Sequence, residues 1–424
     1  MISRPEPKIE TVEDFYAFKF GAMWRYFKAQ HFSFWMICCY LFFEFVRPQS
    51  LLPAIDFLPW AQLFLMGSLV GAFADPTVKW VSNAANKFII IFFITICISI
   101  LTALFPDVSQ KHFMDFFGWF VIYFLISNIV NTKERFYIFI TIYLFAAAKI
   151  ALGTSKAWVM RGFAYAGWGL MGPPGYFQNS GELAILMLML FPLAFYLYRF
   201  FKDKVTPWQK WVLMLFWVCP ILTILGASSR GAQIGLVVEL LIIFRKGVIK
   251  PKLLIGATLL CVALFNLLPP EQKERFSQTG DDKTSQQRIL YWQRGWEMMK
   301  DYPITGVGFF NFAANFEAHY PQDMLYETAQ LPHNIFIQVG TDVGFLGLFF
   351  FMLLIFYCFV ASYGLVVNKK TSALEKAWAA SLGLGVLGFT IAGQFVTVTY
   401  YPFLWIHLAM ICAQKNISGL FNKE

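Results

Sequence analysis

Three side chains suited to chemistry on charged oxygens stand beside long apolar runs. Arg230 lies in "LGASSRGAQIG" (225–235), Arg288 in "TSQQRILYWQRGWEMMKDYPITGVGFFNF" (284–312), and His333 in "LPHNIFIQVGTDVGFLG" (331–347). A guanidinium carries a permanent charge and a planar fork of donors that matches phosphate oxygens. A neutral imidazole can take a proton near neutral pH. Ser228 and Ser229 precede an apolar helix that opens with Arg230 and Gly231. That order predicts open N–H groups, a hydroxyl cap and a guanidinium at one helix N-terminus, which together make a seat for an anion. The plainer alternative is a simple cap whose arginine reaches to the membrane interface.

Ile289, Trp292, Trp296 and Met299 recur at helical spacing. They predict a helix lying against a membrane domain with Arg288 at the edge of the packed face. The alternative is that Arg288 and Arg294 only solvate this helix. Pro332 biases the residue before it away from helix, so His333 is expected near the first turn of the next one. A histidine packed at an interface is the competing reading. A fourth stretch, "WVMRGFAYAGWGLMGPPGYFQNSGELA" (158–184), sets Arg161, Gln178, Asn179 and Glu182 among aromatic rings and turn residues. Rings and amides suit sugars through stacking and hydrogen bonding, and an interfacial aromatic belt would look the same.

The elements that position these residues follow from composition. Hydrophobic residues make up 58% of the 424 positions and charged residues 14%, which fits a polytopic membrane protein and not a soluble domain. A membrane helix needs about 20 apolar residues. Candidate spans fall near 33–52, 58–74, 88–105, 113–130, 136–152, 181–201, 211–227, 231–247, 252–268, 334–366, 375–398 and 401–415. The fold expected is all-α, with about 12 transmembrane helices. The glycines of "VGTDVGFLG" are expected to break the tenth span into a short piece and a full helix.

Lys and Arg are enriched in alternate short loops, which places both termini in the cytoplasm and the long loop before His333 outside. The resulting division is an N-terminal interfacial segment (1–31), a membrane domain of nine spans (32–268), a helical outer loop domain (269–332) and three further spans (333–424). The net charge of +9 is then a topology signal, with no nucleic-acid patch behind it. No signal-peptide pattern opens the chain. The seven cysteines all fall in predicted spans, so no disulfide is expected in the outer loops. The sequence has no G-x-x-x-x-G-K-[ST] loop, no D-x-D and no His–Cys metal pattern, and the adjacent Asp281 and Asp282 make a poor cation site.

The combination of "SRG" opening a late span, a long outer loop ending "PITGVGFFNF", and "HNIFIQVGTDVGFLG" after it resembles the bacterial O-antigen ligase and polymerase superfamily. The resemblance is clear over about residues 175–350. It implies a glycosyltransferase of the bacterial inner membrane that works at the periplasmic face without metal or other cofactor. The implied donor is a glycan on undecaprenyl diphosphate. The implied acceptor is lipid A-core in ligases and a second lipid-linked glycan in polymerases. Matched by position, Arg230 and Arg288 would bind the diphosphate and His333 would act beside the acceptor hydroxyl. Ser229, and with a looser match Arg161, Asn179 and His319, would contact substrate. The chemistry is consistent, because displacing a sugar from a diphosphate builds negative charge on the leaving group, where fixed guanidiniums stabilise the transition state.

Three other readings remain at this level. A transporter of lipid-linked sugars would share the topology, and it would carry paired ionisable groups deep in the membrane, where Glu239 is the one clear acid. A peptidoglycan polymerase of the shape, elongation and division type shares the topology but fits the His motif less well. A purely structural membrane protein would not need the outer cluster of charge.

The charge bias predicts that Gln278, in the long loop, faces the periplasm. A cysteine placed there should react with a membrane-impermeant thiol reagent in intact spheroplasts, because the native cysteines are expected inside the membrane. Labelling only after lysis would reverse the orientation of the whole chain.

Overall fold

The computed structural model describes residues 10–164, 169–245 and 282–419. These form helices and connecting turns, with no strand among the described residues. In chain order the main helices are α1 (Phe20–Lys28), α2 (Phe32–Val46), α3 (Trp60–Ala74), α4 (Ala84–Leu101), α5 (Pro106–Ile129), α6 (Lys133–Met160) and α7 (Ser180–Phe201). They continue with α8 (Pro207–Gly226), α9 (Arg230–Ile243), α10 (Lys283–Asp301), α11 (Phe312–His319), α12 (Ile335–Val367), α13 (Ala373–Ala392) and α14 (Pro402–Ser418). Six of them, α4 to α8 and α12, are long and apolar enough to cross a membrane. Each span expected from sequence falls on a helix except 252–268, which lies outside the described residues.

Local signals set the helix starts. Asn179 with Glu182, Thr206 with Gln209 and Ser372 with Glu375 form capping boxes at α7, α8 and α13. Asn83, Thr132, Asp282 and Asn334 cap α4, α6, α10 and α12 through their side chains. The core is centred on α7, which is buried over most of its length and packs against α8 and α13. α14 is buried without interruption from Pro402 to Gln414.

α12 is broken at Gly344, where φ is 70° and ψ is −174°. The break frees backbone groups that an apolar surrounding cannot satisfy. The segment 303–311 takes them up. Val307 N–H donates to the Thr341 carbonyl (2.8 Å), and Phe345 N–H donates to the Pro303 carbonyl (2.8 Å). The Ser99 hydroxyl of α4 donates to the Asp342 carbonyl. The Asp342 carboxylate accepts from Phe310 N–H at 3.1 Å. Asn311 ties the same segment to α5: its Oδ1 accepts from Phe105 N–H (2.6 Å) and its Nδ2 donates to the Ser109 hydroxyl (2.9 Å). The short piece and full helix expected from the glycines are therefore present, and the "PITGVGFFN" motif is the part that closes the break.

The helix α10 departs from the expected face. Sequence periodicity assigns Ile289, Trp292, Trp296 and Met299 to its packed side, yet Ile289 and Trp296 are 46% and 50% exposed. The packed residues are Gln287, Tyr291, Gly295, Met298 and Met299. α10 is gripped from two sides, by α12 through Gly295 against Ile337 and Met299 against Gly340, and by α11 through Tyr291 against Phe312 and Phe316. Two neighbours define a different buried arc from the single stripe that periodicity reports.

A Cβ at position 344 would stand 2.6 Å from the Ile304 carbonyl carbon, and one at Gly306 would meet the Thr341 carbonyl, with φ positive at both positions. Gly344→Ala and Gly306→Ala should each lower stability by roughly 2 kcal/mol or more, from strain and overpacking. Gly153→Ala, in open space on α6, should not. Thermal unfolding of detergent-solubilised protein checks this, and equal melting temperatures for all three variants would refute the closure role of segment 303–311.

Candidate functional site

A cavity of about 1370 Å³ opens among α7, α9, α10, the start of α12 and the 395–401 segment. Its lining includes Arg230, Arg288, His333, Asn179 and Ser229. Five candidates widely separated in sequence are thus brought to one space. Arg161 and His319 are not among the lining residues. Arg161 is exposed at the C-terminal cap of α6, and His319 is exposed at the end of α11, its Nδ1 3.1 Å from the Asn315 carbonyl.

Arg230 is the first residue of α9, after Ser228, which adopts the left-handed conformation (φ 55°). Ser229 occupies the cap position, but its hydroxyl makes no capping hydrogen bond. The hydroxyl cap read from sequence is therefore absent, and the first turn of α9 faces the cavity with its dipole uncapped by a side chain. The Arg230 Nη2 donates to Asp282 Oδ2 and to the Ser285 hydroxyl, both at 3.3 Å. Asp282 in turn caps α10, accepting from Ser285 N–H at 2.9 Å. Arg230 is thereby held between two helices.

Arg288 lies about one turn further along α10 from Ser285. Its Nε is buried and has no hydrogen-bond partner. Burial, and then the charge of Arg230, hold its pKa below the ordinary guanidinium value. An arginine still keeps its proton under such pressure, so the result is a desolvated cation with unused donors. Arg294 on the same helix differs. It donates to Asp323 (2.6 Å) and Glu297 (2.7 Å) and ties α10 to the turn at Pro321–Asp323.

His333 immediately precedes the Asn334 cap of α12, and its backbone is left-handed, with φ of 51°. A non-glycine residue stays there only when its surroundings hold it. His333 N–H donates to the Thr397 hydroxyl (3.1 Å), Ile335 N–H to the Gly393 carbonyl (2.9 Å), and the Trp292 indole to the Pro332 carbonyl (2.8 Å). The imidazole Nε2 lies 3.0 Å from the Gln330 amide oxygen. With that oxygen accepting the Nε2 proton, Nδ1 is left as the basic atom. Burial, and then the nearby Arg288, push the pKa of His333 down to about 4. The ring is accordingly neutral at physiological pH and able to receive a proton.

Several lining residues had no local signal in the sequence. Gln330 and Thr397 act on His333, and the Tyr401 hydroxyl donates to Glu182 Oε1 at 2.9 Å across 219 positions of chain. Asp282 carried a readable sign, an acid three residues before Ser285 at a helix start, but its pairing with Arg230 is a tertiary contact. Among the described residues, no three His, Cys, Asp or Glu side chains gather as a metal site.

Residues 215–352 match the family model described as O-antigen ligase. The matched part holds Arg230, Arg288, His333 and the break at Gly344. No curated protein matches the chain.

The contrast between the two arginines of α10 can be measured. Arg288→Met removes a half-buried charge whose Nε has no hydrogen-bond partner and which has the like charge of Arg230 nearby, so it should leave the melting temperature unchanged or raise it. Arg294→Met breaks two ion pairs and should lower it. A marked loss of stability in Arg288→Met would make Arg288 a structural residue.

Proposed function

We propose, from the match of residues 215–352 to the O-antigen ligase family model, that the cavity transfers a glycan from undecaprenyl diphosphate to an acceptor hydroxyl. The observation that carries the reading is the buried Arg288 Nε, without a partner, in the same cavity as Arg230, His333 and the uncapped start of α9. A desolvated cation with spare donors calls for an anion of matching geometry, and a diphosphate supplies it. The reaction is placed at the periplasmic face of the inner membrane, where the lipid carrier holds its diphosphate at the interface. The acceptor is lipid A-core for a ligase or a second lipid-linked glycan for a polymerase.

The step balances without an added reagent. The acceptor oxygen forms a bond to the anomeric carbon as the bond from that carbon to the phosphate oxygen breaks, with inversion at carbon. The bonding pair leaves with the diphosphate, whose growing charge is met by Arg230, Arg288 and the α9 dipole. The proton of the acceptor hydroxyl passes to Nδ1 of His333. Positive charge held by the chain does the work a metal ion would otherwise do, so transfer is read as metal-independent. Donor binding also acts on the base: a diphosphate seated on Arg288 cancels one of the two influences that depress His333, and the imidazole becomes more basic when it is needed.

Arg230→Lys and Arg288→Lys keep the charge and lose the fork, so each should cost about 10²-fold to 10³-fold in transfer rate. His333→Gln should cost about 10²-fold to 10⁴-fold. The readout is transfer per folded molecule in purified membranes, and near wild-type activity in all three variants would remove these residues from the chemistry. The acid limb of kcat/KM, which reports free enzyme, should fall near His333's value of about 4, and that of kcat should lie at higher pH. Coincident limbs would refute the coupling between Arg288 and His333. Deleting the gene separates the two acceptors: uncapped core with accumulated lipid-linked polymer indicates a ligase, and a ladder collapsed to one repeat unit indicates a polymerase.

A further inference from the structure

The cavity has a second end with the opposite character. Besides the arginines its lining carries two carboxylates, Asp115 of α5 and Glu182 of α7, with the rings of Tyr176 and Tyr401. The Tyr176 and Tyr401 rings lie 5.0 Å apart, and Tyr401 donates to Glu182. His112 stacks flat on Phe310, with centroids 4.1 Å apart and planes inclined by 11°, and its Nδ1 lies 2.7 Å from Asp115. Trp119 fixes α5 to this wall by donating to the Tyr400 carbonyl at 2.8 Å.

Two further lining residues are buried with polar atoms that lack partners. Gln338 is 1% exposed and its Oε1 has no hydrogen-bond partner; Thr399 is fully buried and its Oγ1 has none. The Gln338 oxygen is an acceptor and the Thr399 hydroxyl can accept or donate, so with Asp115 and Glu182 this part of the lining is rich in acceptors. Arg47, whose charge reaches Tyr176, sits against the Gly175 backbone outside the lining. Asp115, Tyr176, Glu182, Thr399 and Tyr401 also lie outside the family-matched residues 215–352.

We propose that this end is the sugar-recognition subsite, and that its carboxylates select a glycan unit bearing hydroxyl or amino donors against one bearing a carboxylate. Aromatic faces take the apolar face of a pyranose, and carboxylate and amide oxygens accept from its hydroxyl groups. A protonated amino sugar would gain a charge-assisted hydrogen bond. A uronic acid would meet Asp115 and Glu182 as like charges, and its carboxylate could not donate to the Gln338 oxygen. The inference deepens the glycan-transfer reading and rests on it, since that reading supplies the reason for sugar at this site.

Binding of three disaccharides to the purified full-length chain in nanodiscs, followed by calorimetry, tests the proposal. The probes are chitobiose, its fully de-N-acetylated diamine and digalacturonic acid. The diamine should bind most tightly, and digalacturonate at least about tenfold more weakly, the size expected for one unfavourable charge contact. Asp115→Asn combined with Glu182→Gln keeps the hydrogen-bonding shape, including an oxygen for the Asn179 cap, and should erase the preference for the diamine. Asp115→Lys, at a half-exposed position on α5, should move it toward digalacturonate. Digalacturonate binding wild type as well as chitobiose does, an order unchanged in the variants, or no binding by any probe would overturn the proposal. Competition of chitobiose with the acceptor or with the lipid-linked donor says which glycan supplies the ring. Because binding is read without turnover, failure of transfer and failure of sugar selection are separate results. Arg230→Lys should lose transfer and keep the order of the three probes.

Discussion

A helix that stops hydrogen-bonding to itself inside an apolar domain has to be completed by another part of the chain, and the geometry of this site depends on how that is done at Gly344. The break turns the α12 carbonyls and amides outward, and segment 303–311 meets them with its own backbone, while Ser99 and the Asp342 carboxylate take the remaining contacts. The closure fixes the short first piece of α12 against α10 and α4. It also sets where that piece begins, and therefore where His333 stands. Glycine is required because both the left-handed torsion and the close backbone approach exclude a side chain.

From that fixed piece the site extends in two directions. Toward α10 it meets Arg288 and the Asp282-held Arg230. Toward α5 and α7 the lining continues from Gln338 of that piece to the aromatic rings and carboxylates. The two ends come from different parts of the chain. The cationic end lies in 215–352, together with the break that positions it, and most of the other wall is drawn from residues before and after that stretch. In the proposed reaction, such an arrangement would separate the part that handles the leaving group from the part that meets the sugar. The first can stay the same while the second changes with the glycan.

What the sequence made legible follows from the range of each signal. Apolar runs are local, and every expected span within the described residues is a helix. The glycines of "VGTDVGFLG" marked the break because a torsion is also local. Arg230, Arg288 and His333 were found through motif order and share one cavity. The rotation of α10 was missed because two neighbours, not one, bury it. Ser229 sits at the cap position without capping, since the serine label gives position and not rotamer. Gln330, Thr397 and the Tyr401–Glu182 pair become visible only once distant segments meet. Arg161 and His319 had the right chemistry on the right loops, but both side chains are exposed and stand outside the lining.

The two arginines show why a site of this kind carries some cost in the resting state. Arg230 is anchored by Asp282 and Ser285, so its position is set before any ligand arrives. If Arg288 were anchored in the same way, the cavity would be closer to neutral and an incoming diphosphate would have to displace an internal carboxylate. It is instead left desolvated beside a like charge, and that same charge contributes to the depressed basicity of His333. Burial is the larger cause in each case, and a bound anion would offset the contribution that comes from neighbouring positive charge. In the proposed transfer, the binding free energy of the leaving group would thereby be directed to the atoms that react, because the anion to be stabilised would also raise the basicity of His333.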